Sequence, residues 1–519
     1  MTDNKYDSIV VGSGAGGLTT AVALAQAGQK VLVCEQHEVP GGWTHSFTLE
    51  GYRFSPGVHY IGGLNPGEYL DNVFRGLGIS QDLEFLELNP DSYDHIFIED
   101  EQFNIPKGRT NYMERLIERF PNEANGIRKL FKAIDDIGSM ARNLPRGKIS
   151  FSRLGSIKWL WKSGGSLINY YVKDPVLRAI LLSQSGDHGV PPSKVSSLFT
   201  IGIIRHYYTG GFYPKGGAYI IPRAYVRALK RAGGEIRLNT MVKKIIIENG
   251  TAVGIEIGES EKLFAENIIS NADPETTFNK MIGSEYLGNK LNRKLGKIRY
   301  STSCLSLYLA IDLDLKNMGY DSGNYWFYNH ADLDEIYTKG MGDSAAYNDP
   351  DSMFMTITTL KDPGKMHDGK HTIEAFSFAN HTAFDKWKNE KTGERSADYY
   401  KFKDEIMERM LNFLETHVPG IKKAVVFKDL GTPLTNAHYI NSFNGNIYGT
   451  DKIKKQMGPF GFNTKTEIKN LYLCGASTLS HGVAGVIGTG LRAASTILSC
   501  KTKDILKQNG PELKIYSSE

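Results

Sequence analysis

The chain has 519 residues, of which 40% are hydrophobic and 23% are charged, an ordinary composition for a globular protein. This length exceeds what a single hydrophobic core supports, so we expect two or three interleaved domains. The 61 basic residues nearly balance the 57 acidic ones, which leaves a net charge of +4, and this balance gives no indication of nucleic-acid binding.

The first predicted elements form a dinucleotide-binding turn. Residues 9–11 are an apolar strand, and three glycines follow in G-x-G-x-x-G spacing before a helix that reaches about Ala27. In such a turn Gly12 permits the tight bend, Gly14 lets the backbone approach a pyrophosphate, and Gly17 lets the helix pack on the strand. The phosphates then lie on the free amides at the helix N-terminus.

The next strand and turn favour FAD over NAD. Residues 30–35 read as a second strand that ends at Glu35, whose carboxylate can accept hydrogen bonds from both ribose hydroxyls and disfavours a 2′-phosphate. The doublet Gly41-Gly42 comes next. In flavoproteins such a turn passes under the ribityl chain and the diphosphate, whereas NAD-type folds need nothing special there. We therefore predict one FAD, bound without a covalent link.

Two later regions complete the predicted cofactor site. A strand over residues 470–476 stops at Gly475, and further glycines precede a helix predicted over 491–498, so this second turn is expected to hold the ribityl chain and the pyrimidine edge of the flavin. Val242, on the strand predicted over 242–248, is a candidate backbone contact for adenine. The predicted cofactor-binding residues are Gly12, Ser13, Gly14, Ala15, Gly16, Gly17, Glu35, Gln36, Gly41, Gly42, Trp43, Val242, Gly475, Ala476, Val483 and Ala484.

The pattern predicts an α/β fold with a Rossmann-type FAD-binding domain assembled from discontinuous segments. The segments assigned to this domain are 1–89, 206–284 and 428–499. An α+β substrate domain, or cap, takes residues 90–205 and 285–427. Residues 500–519 are a polar tail that we expect to be frayed.

Cysteine usage and hydropathy indicate the compartment. The four cysteines have neither a C-x-x-C motif nor the spacing of metal ligands, so we predict free thiols, a reducing compartment and no metal. The first strand begins near Tyr6, which leaves no room for a signal peptide, and no apolar run approaches the roughly 18 residues of a membrane span. We expect a cytoplasmic protein that can also lie peripherally on a membrane.

A basic and aromatic segment supports that last expectation. Residues 151–162 interleave arginine and lysine with Trp159, Trp161 and aliphatic residues, and Tyr170-Tyr171 lies just beyond. This pattern is typical of an interfacial helix that dips into lipid. The alternative is an ordinary cap helix with a buried tryptophan face.

Several further motifs carry a family resemblance over nearly the whole chain. The chain resembles the phytoene desaturase, carotenoid isomerase and retinol saturase family of flavoproteins, and its retinol saturase branch most of all. It departs from that branch at Trp43-Thr44, where saturases tend to carry cysteines, and at residues 476–481. The motifs that carry the resemblance, besides the N-terminal fingerprint, lie at 35–37, 57–62, 206–217, 231–234, 270–272, 431–436, 448–449 and 470–475.

The resemblance implies an FAD-dependent oxidoreductase that acts on carbon–carbon double bonds of a long isoprenoid or polyene lipid. Saturation is the leading interpretation, and a carotenoid desaturase or cis-trans isomerase is the alternative. An amine-oxidase-like flavoenzyme and a flavoprotein that only binds lipid are further hypotheses. Only one dinucleotide fingerprint is strong, so the electron donor or acceptor is expected to be a protein, a quinone or oxygen.

Saturation requires a proton as well as a hydride, and the sequence offers a few acids. His59 and Tyr60 are the first candidates, because their loop follows the Gly41-Gly42 turn toward the flavin ring. His206 and His481 are the others, since a histidine with a near-neutral pKa can deliver a proton. A structural role is the alternative for each of them.

Overall fold

The computed structural model describes residues 5–143 and 151–518. The strands are β1 (Lys5–Val11), β2 (Val31–Cys34), β3 (Phe47–Leu49), β4 (Tyr52–Phe54), β5 (Glu84–Glu87), β6 (Asp94–Ile98), β7 (Glu101–Ile105), β8 (Phe212–Pro214), β9 (Glu235–Arg237), β10 (Val242–Glu248), β11 (Thr251–Ile257), β12 (Glu261–Ser270), β13 (Ser303–Ile311), β14 (Asn324–Tyr328), β15 (Ser352–Ile357), β16 (His371–Ala379), β17 (Val425–Gly431), β18 (Leu471–Leu473) and β19 (Lys514–Ser517).

The α-helices are distributed along the whole chain, with a 3-10 helix at Phe151–Trp161 and a π-helix at Glu275–Ile282. They are α1 (Ala15–Gln26), α2 (Tyr69–Gly76), α3 (Arg109–Arg119), α4 (Ala124–Asn143), α5 (Gly164–Tyr171), α6 (Pro175–Leu182), α7 (Ser197–His206), α8 (Ile220–Arg231), α9 (Asn289–Leu295), α10 (Leu333–Gly340), α11 (Thr358–Lys361), α12 (Ala397–His417), α13 (Ile421–Ala424), α14 (Pro433–Ile440) and α15 (Gly482–Ile497).

A seven-stranded sheet forms the cofactor side of the molecule. Its order is β10-β11-β12-β1-β2-β9, with β18 paired to the far end of β12. The strands β18, β12, β1, β2 and β9 run parallel, whereas β10, β11 and β12 form an antiparallel meander. The parallel core reads as nearly continuous runs of apolar residues because both of its faces are covered. The predicted α/β class with a Rossmann-type FAD domain is confirmed.

A second seven-stranded sheet lies on the substrate side, in the order β17-β13-β16-β15-β14-β6-β7. Except for part of β17, its strands come from the two segments predicted for the substrate domain. The predicted boundary at residue 428 falls inside β17, which pairs with β13 through Gly431, so this strand belongs wholly to the second sheet. The division into domains stays a prediction, although the strands of each sheet follow the predicted segments closely.

The C-terminal tail is docked, and the expectation of fraying was wrong. β19 pairs in parallel with β5, in a three-stranded sheet with β8. The amide of Gln508 donates to the carbonyl of Gly76 at 2.9 Å, and Leu506 packs against the core beneath α2. The polar composition of the tail gave no indication of this docking, because β19 pairs with β5 through backbone hydrogen bonds, which do not depend on apolar side chains.

Two predicted helices differ from the structure. Helix α15 begins at Gly482, nine residues before the predicted start, so its glycines lie within the helix. The segment at 151–161 is a 3-10 helix with no pronounced apolar face. Within the described parts of the chain, no helix is both long enough and apolar enough to cross a bilayer.

Candidate functional site

One cavity of about 630 Å³ lies at the carboxyl edge of the first sheet. The loops that leave β1, β2, β12 and β18 all reach it, because parallel strands end at the same edge and ligands bind there. From this edge the cavity continues between the two sheets to Phe354 and Phe376 on the second sheet. A single space therefore joins the predicted cofactor site to an aromatic region.

The first wall is the glycine-rich turn after β1. Gly12 has a φ of +92°, a conformation that favours glycine. Helix α1 begins just beyond the turn with no side-chain cap, so its first amides remain available to an anion. A Cβ on Gly14 would lie 2.5 Å from the side-chain nitrogen of Asn271. Gly14 therefore makes room for Asn271 in addition to its predicted part in phosphate approach.

Glu35 occupies the end of β2 and is already oriented. Its Oε2 accepts from the amide of Ser13 at 2.8 Å and from the hydroxyl of the same residue at 2.6 Å, while its Oε1 accepts from the amide of His37 at 2.9 Å. The side chain is buried yet lines the cavity. Oε2 thus already accepts two hydrogen bonds and Oε1 accepts one, so the fixed carboxylate retains one acceptor site, on Oε1, for a ribose hydroxyl.

The glycine doublet passes directly over the phosphate turn. Gly41 and Gly42 both have positive φ angles, and a Cβ on Gly42 would lie 3.5 Å from the Cα of Gly14. Trp43 then packs against Gly57, where a Cβ would approach the indole to 3.1 Å. This contact brings the loop that carries His59 and Tyr60 beside the predicted flavin position.

The C-terminal turn closes the opposite wall. Gly475, at φ +87°, lies against Asn271, and α15 begins without a side-chain cap at a point where Val483 and Ala484 line the cavity. Behind the turn, the buried Lys452 donates to the carbonyl of Ala476 at 2.6 Å. Burial lowers the pKa of Lys452 to about 7.

Two uncapped helix N-termini and a preoriented carboxylate thus face one cavity, and this arrangement fits FAD. The amides of α1 suit the pyrophosphate, Glu35 suits the ribose, and the start of α15 suits an oxygen-rich ring edge. All the predicted cofactor residues line the cavity except Ser13 and Gly17. Ser13 instead holds Glu35, and Gly17 packs against Gly12 and Val10.

All four predicted catalytic residues also line the cavity. The Nδ1 of His59 is 3.0 Å from Oε2 of the buried Glu374, and its ring lies against Phe354 and Phe376 at centroid distances of 5.1 and 5.9 Å. The His59 carbonyl accepts from Lys361 at 2.7 Å. With Nδ1 donating to the carboxylate, Nε2 of His59 is left for a ligand.

The other candidates are held in ways that favour uncharged forms. Tyr60 donates to Asp94 at 3.1 Å, and burial raises its pKa well above 10. His206 accepts from the amide of Gly62 through Nε2 at 2.9 Å, and burial lowers its pKa to about 4. Burial also lowers the pKa of His481, whose Nε2 has no hydrogen-bond partner within the described structure. The hydrogen bond with Gly62 favours a structural role for His206. The unpartnered Nε2 of His481 favours a polar contact with a ligand.

Sequence reasoning missed several residues that shape the cavity or its polar walls. Asn271 lies in the motif at 270–272, but nothing in that motif indicates a role for its side chain. Glu374 is the only carboxylate in β16 and has apolar residues, Ile373 and Ala375, on both sides, and this pattern is a usable signal. Asp187 and Lys361 gave no local signal. The missed residues are Asn271, Asp187, His188, Lys361, Glu374 and Lys452.

The four cysteines are free, as predicted. Cys474 immediately precedes the C-terminal turn, with its Sγ 3.4 Å from the side-chain oxygen of Asn271, and burial raises its pKa to about 12. A thiol at this place is poorly suited to form a covalent link to a flavin ring, because the thiolate is the reactive form.

Comparison with known proteins agrees with this geometry. A solved oxidoreductase from Methanosarcina mazei superposes with a TM-score of 0.62 at 18% identity and covers 94% of this chain and 99% of its own. The all-trans-retinol 13,14-reductase of Danio rerio is 30% identical, over 95% of this chain and 86% of the reductase. The chloroplastic prolycopene isomerase of Daucus carota is 26% identical, over 95% of this chain and 80% of the isomerase.

The sequence profile of flavin containing amine oxidoreductases matches residues 15–498. This match spans most of the chain, and it includes the start of α1, Glu35 and the start of α15, which lie on the cofactor side of the cavity. The chain therefore belongs to the flavin-containing amine oxidoreductase family and is an FAD-dependent oxidoreductase.

Proposed function

We propose that this protein reduces a carbon–carbon double bond in a long isoprenoid or polyene lipid, as a retinol-saturase-like enzyme. The observation that carries the proposal is the aromatic and aliphatic end of the cavity, which opens directly from the cofactor walls. An uncharged, extended substrate is suited to this region because apolar burial supplies its binding energy. The side chains that supply this surface are Leu198, Phe199, Ile203, Phe354, Phe376 and Ile447.

The names of the two relatives support the substrate class. One relative is a reductase of retinol and the other an isomerase of prolycopene. Bound FAD would supply or remove a hydride. The protein would position the double bond, exclude water and provide the proton, for which His59 is the first candidate from the sequence. The residues that would hold FAD are the predicted set described above.

The test is anaerobic reaction of the photoreduced, FAD-loaded protein with all-trans-retinol, acyclic carotenoids and other unsaturated lipids. Saturation yields a product heavier by two hydrogens and an oxidised flavin. Isomerisation, the second candidate, leaves the product mass and the reduced flavin unchanged. Flavin that stays reduced, with every lipid recovered unaltered, contradicts both proposals. The oxidised protein incubated with amines tests the amine-oxidase hypothesis.

The electron partner belongs to the same proposal. We expect a protein, a quinone or oxygen to exchange electrons with the flavin, because a single dinucleotide fingerprint leaves no evident second site for a nicotinamide cofactor. Reduction of the bound flavin by NADPH alone, without a partner protein, would contradict this expectation.

We also propose peripheral contact with a membrane, through Trp161 and Tyr170 of the predicted segment and a second segment, and without Trp159. Trp161 and Tyr170 are 70% and 63% exposed, but Trp159 is only 4% exposed and packs within the core. Bridges from Ser163 to Ser196 and from Val195 to Ile453 bring a second exposed segment next to Trp161.

That second segment contains Lys454, Lys455 and Phe460, which is 63% exposed, and its Met457 lines the cavity. Aromatic side chains among lysines suit an anionic bilayer surface, and a lipid substrate could then enter without crossing water. Trp161→Ser and Phe460→Ser should reduce pelleting with anionic liposomes, whereas Tyr286→Ser, at a separate exposed tyrosine, should not. Equal pelleting by all three variants and the wild type would contradict the contact.

A further inference from the structure

Two acidic side chains meet at one tyrosine hydroxyl beside the cavity. The Tyr60 oxygen is 3.1 Å from Oδ2 of Asp94 and 3.4 Å from Oδ2 of Asp187. Asp94 is fully buried at the start of β6. Asp187 lies in the 3-10 helix Ser183–His188 and lines the cavity. Only one of the two carboxyl groups therefore faces a substrate.

Counting the available protons distinguishes the two carboxyl groups. Asp94 accepts from the side-chain amides of Asn324 and Gln184, both at 2.8 Å, as well as from Tyr60. Three donors stabilise the ionised form. Within the described residues, Asp187 has Tyr60 as its only hydrogen-bond partner. Because Tyr60 is nearer to Asp94 and is the only donor to Asp187 among the described residues, at 3.4 Å, the ionised form of Asp187 has little stabilisation.

The surroundings offer no cation that would ionise Asp187. In the part of the chain that the structure describes, neither carboxylate forms an ion pair, and Lys361 reaches Asp94 only through the side-chain oxygen of Asn324 at 2.5 Å. Burial, followed by the charge of Asp94, raises the pKa of Asp187 to about 8. The carboxyl group is thus held protonated at neutral pH, next to an apolar space.

We propose that Asp187, oriented by Tyr60, is the proton donor for reduction of the double bond. The inference rests on the proposed function. As the hydride from reduced FAD forms a C–H bond at one alkene carbon, the O–H bond of Asp187 breaks and its proton forms a C–H bond at the other. The alkene gains two electrons and two hydrogens, and Asp187 becomes a carboxylate that solvent reprotonates. Photoreduction supplies the electrons in the assay.

This assignment competes with His59. Both side chains line the cavity, and each lies close to another acidic group: His59 contacts Glu374, and Asp187 shares the Tyr60 hydroxyl with Asp94. The two assignments therefore predict different variants to be slow.

The experiment follows flavin reoxidation by all-trans-retinol and an acyclic carotenoid in a single turnover, with anaerobic, photoreduced, FAD-loaded protein. Asp187→Asn should slow the reaction about 10²- to 10⁴-fold, the usual range for a general acid, with FAD content unchanged. Asp321→Asn, at a carboxylate that pairs with His95 outside the cavity, should react like the wild type. Normal rates in Asp187→Asn with slow turnover in His59→Ala would overturn the inference.

The pH dependence of the flavin reoxidation rate is a second test of this assignment. The wild-type rate should fall as the pH rises through about 8, when Asp187 ionises, and Asp187→Asn should lack this alkaline limb. The titratable groups that face Asp187 are Asp94, Tyr60, Tyr207, Tyr328, Tyr337 and Tyr448. Burial raises the pKa values of these tyrosines far above 8, so Asp94 and Asp187 are the groups among them that titrate near neutrality.

A measurement without turnover separates this inference from the proposed function. Infrared spectra of oxidised, FAD-loaded protein with ¹³C-labelled aspartate should show a protonated carboxyl band at pH 7 that is lost by pH 10 and is absent from Asp187→Asn. A wild-type spectrum without that band overturns the inference alone. Wild-type flavin that no polyene reoxidises overturns the proposed function and the donor role together.

Discussion

Lys361 provides a quantitative test of the buried hydrogen bonds behind His59. Its side chain is fully buried, and its Nζ donates to the His59 carbonyl and to the side-chain oxygen of Asn324. A neutral amine has two hydrogens, which matches these two acceptors. Burial lowers the pKa of Lys361 from 10.5 to about 7, so the folded protein releases a proton that the unfolded chain retains.

The sign and size of the effect follow from this shift. Above pH 7 the unfolded chain binds more protons than the folded protein, so the free energy of unfolding rises with pH. Between pH 7 and pH 9, at 1.36 kcal/mol per pKa unit, Lys361 contributes a rise of about 2 kcal/mol. With a typical unfolding entropy per residue, this corresponds to about 2 °C in melting temperature for a chain of this length.

The assay compares the melting temperatures of FAD-loaded wild type and Lys361→Met at pH 7 and pH 9, at one scan rate. Contributions from other groups are shared, so the change between the two pH values should be about 2 °C more positive in the wild type. Lys316→Met, at an exposed lysine, serves as the control and should behave like the wild type. An identical pH dependence in wild type and Lys361→Met would refute the reasoning.

Three further predictions concern Glu35, Gly490 and the four cysteines. Glu35→Gln should weaken FAD binding to the apoprotein by about 1.5–3 kcal/mol, since it removes a charge-assisted acceptor; calorimetric titration beside the exposed Glu38→Gln tests this, and equal affinities would contradict the role of Glu35. Gly490→Ala should lower both FAD content and melting temperature because its methyl group would meet the Gly16 carbonyl, whereas Gly296→Ala has ordinary contacts and should change neither. Burial raises the pKa of the thiols of Cys34, Cys304 and Cys474, so iodoacetamide at pH 8 should modify mainly Cys500 in the native protein, as measured by peptide mass spectrometry; rapid labelling of the other three would show that they are accessible.

The cofactor side could be predicted from the sequence because its determinants are local. The strand, the glycine turn and the helix lie within residues 5–26, and Glu35 follows nine residues later. Each of these signals is a short-range requirement for backbone approach or for a fixed acceptor. The shift in the start of α15 has a different origin, because glycine is disfavoured within an isolated helix. Close approach to the Gly16 carbonyl makes Gly490 necessary there.

The buried polar pairs on the substrate side could not be predicted in the same way. His59 pairs with Glu374 across 315 residues, and Tyr60 pairs with Asp187 across 127. Which charged residues become buried neighbours depends on how the second sheet packs on the first, and local pattern carries no such information. Trp159 and Trp161 show the same limit, because their spacing does not reveal which indole enters the core.

Two side chains of the cavity lining, His206 and Asp187, favour a lipid over an amine. Burial lowers the pKa of His206 and raises that of Asp187, so both side chains are uncharged at neutral pH. An ammonium substrate would be stabilised by an ionised carboxylate, and a protonated Asp187 does not supply one. A polyene carries no charge that needs a partner, and it loses nothing by lying beside neutral polar groups and the rings of Phe354 and Phe376. The same protonated carboxyl that disfavours an amine is the proton source that we propose for reduction of a double bond.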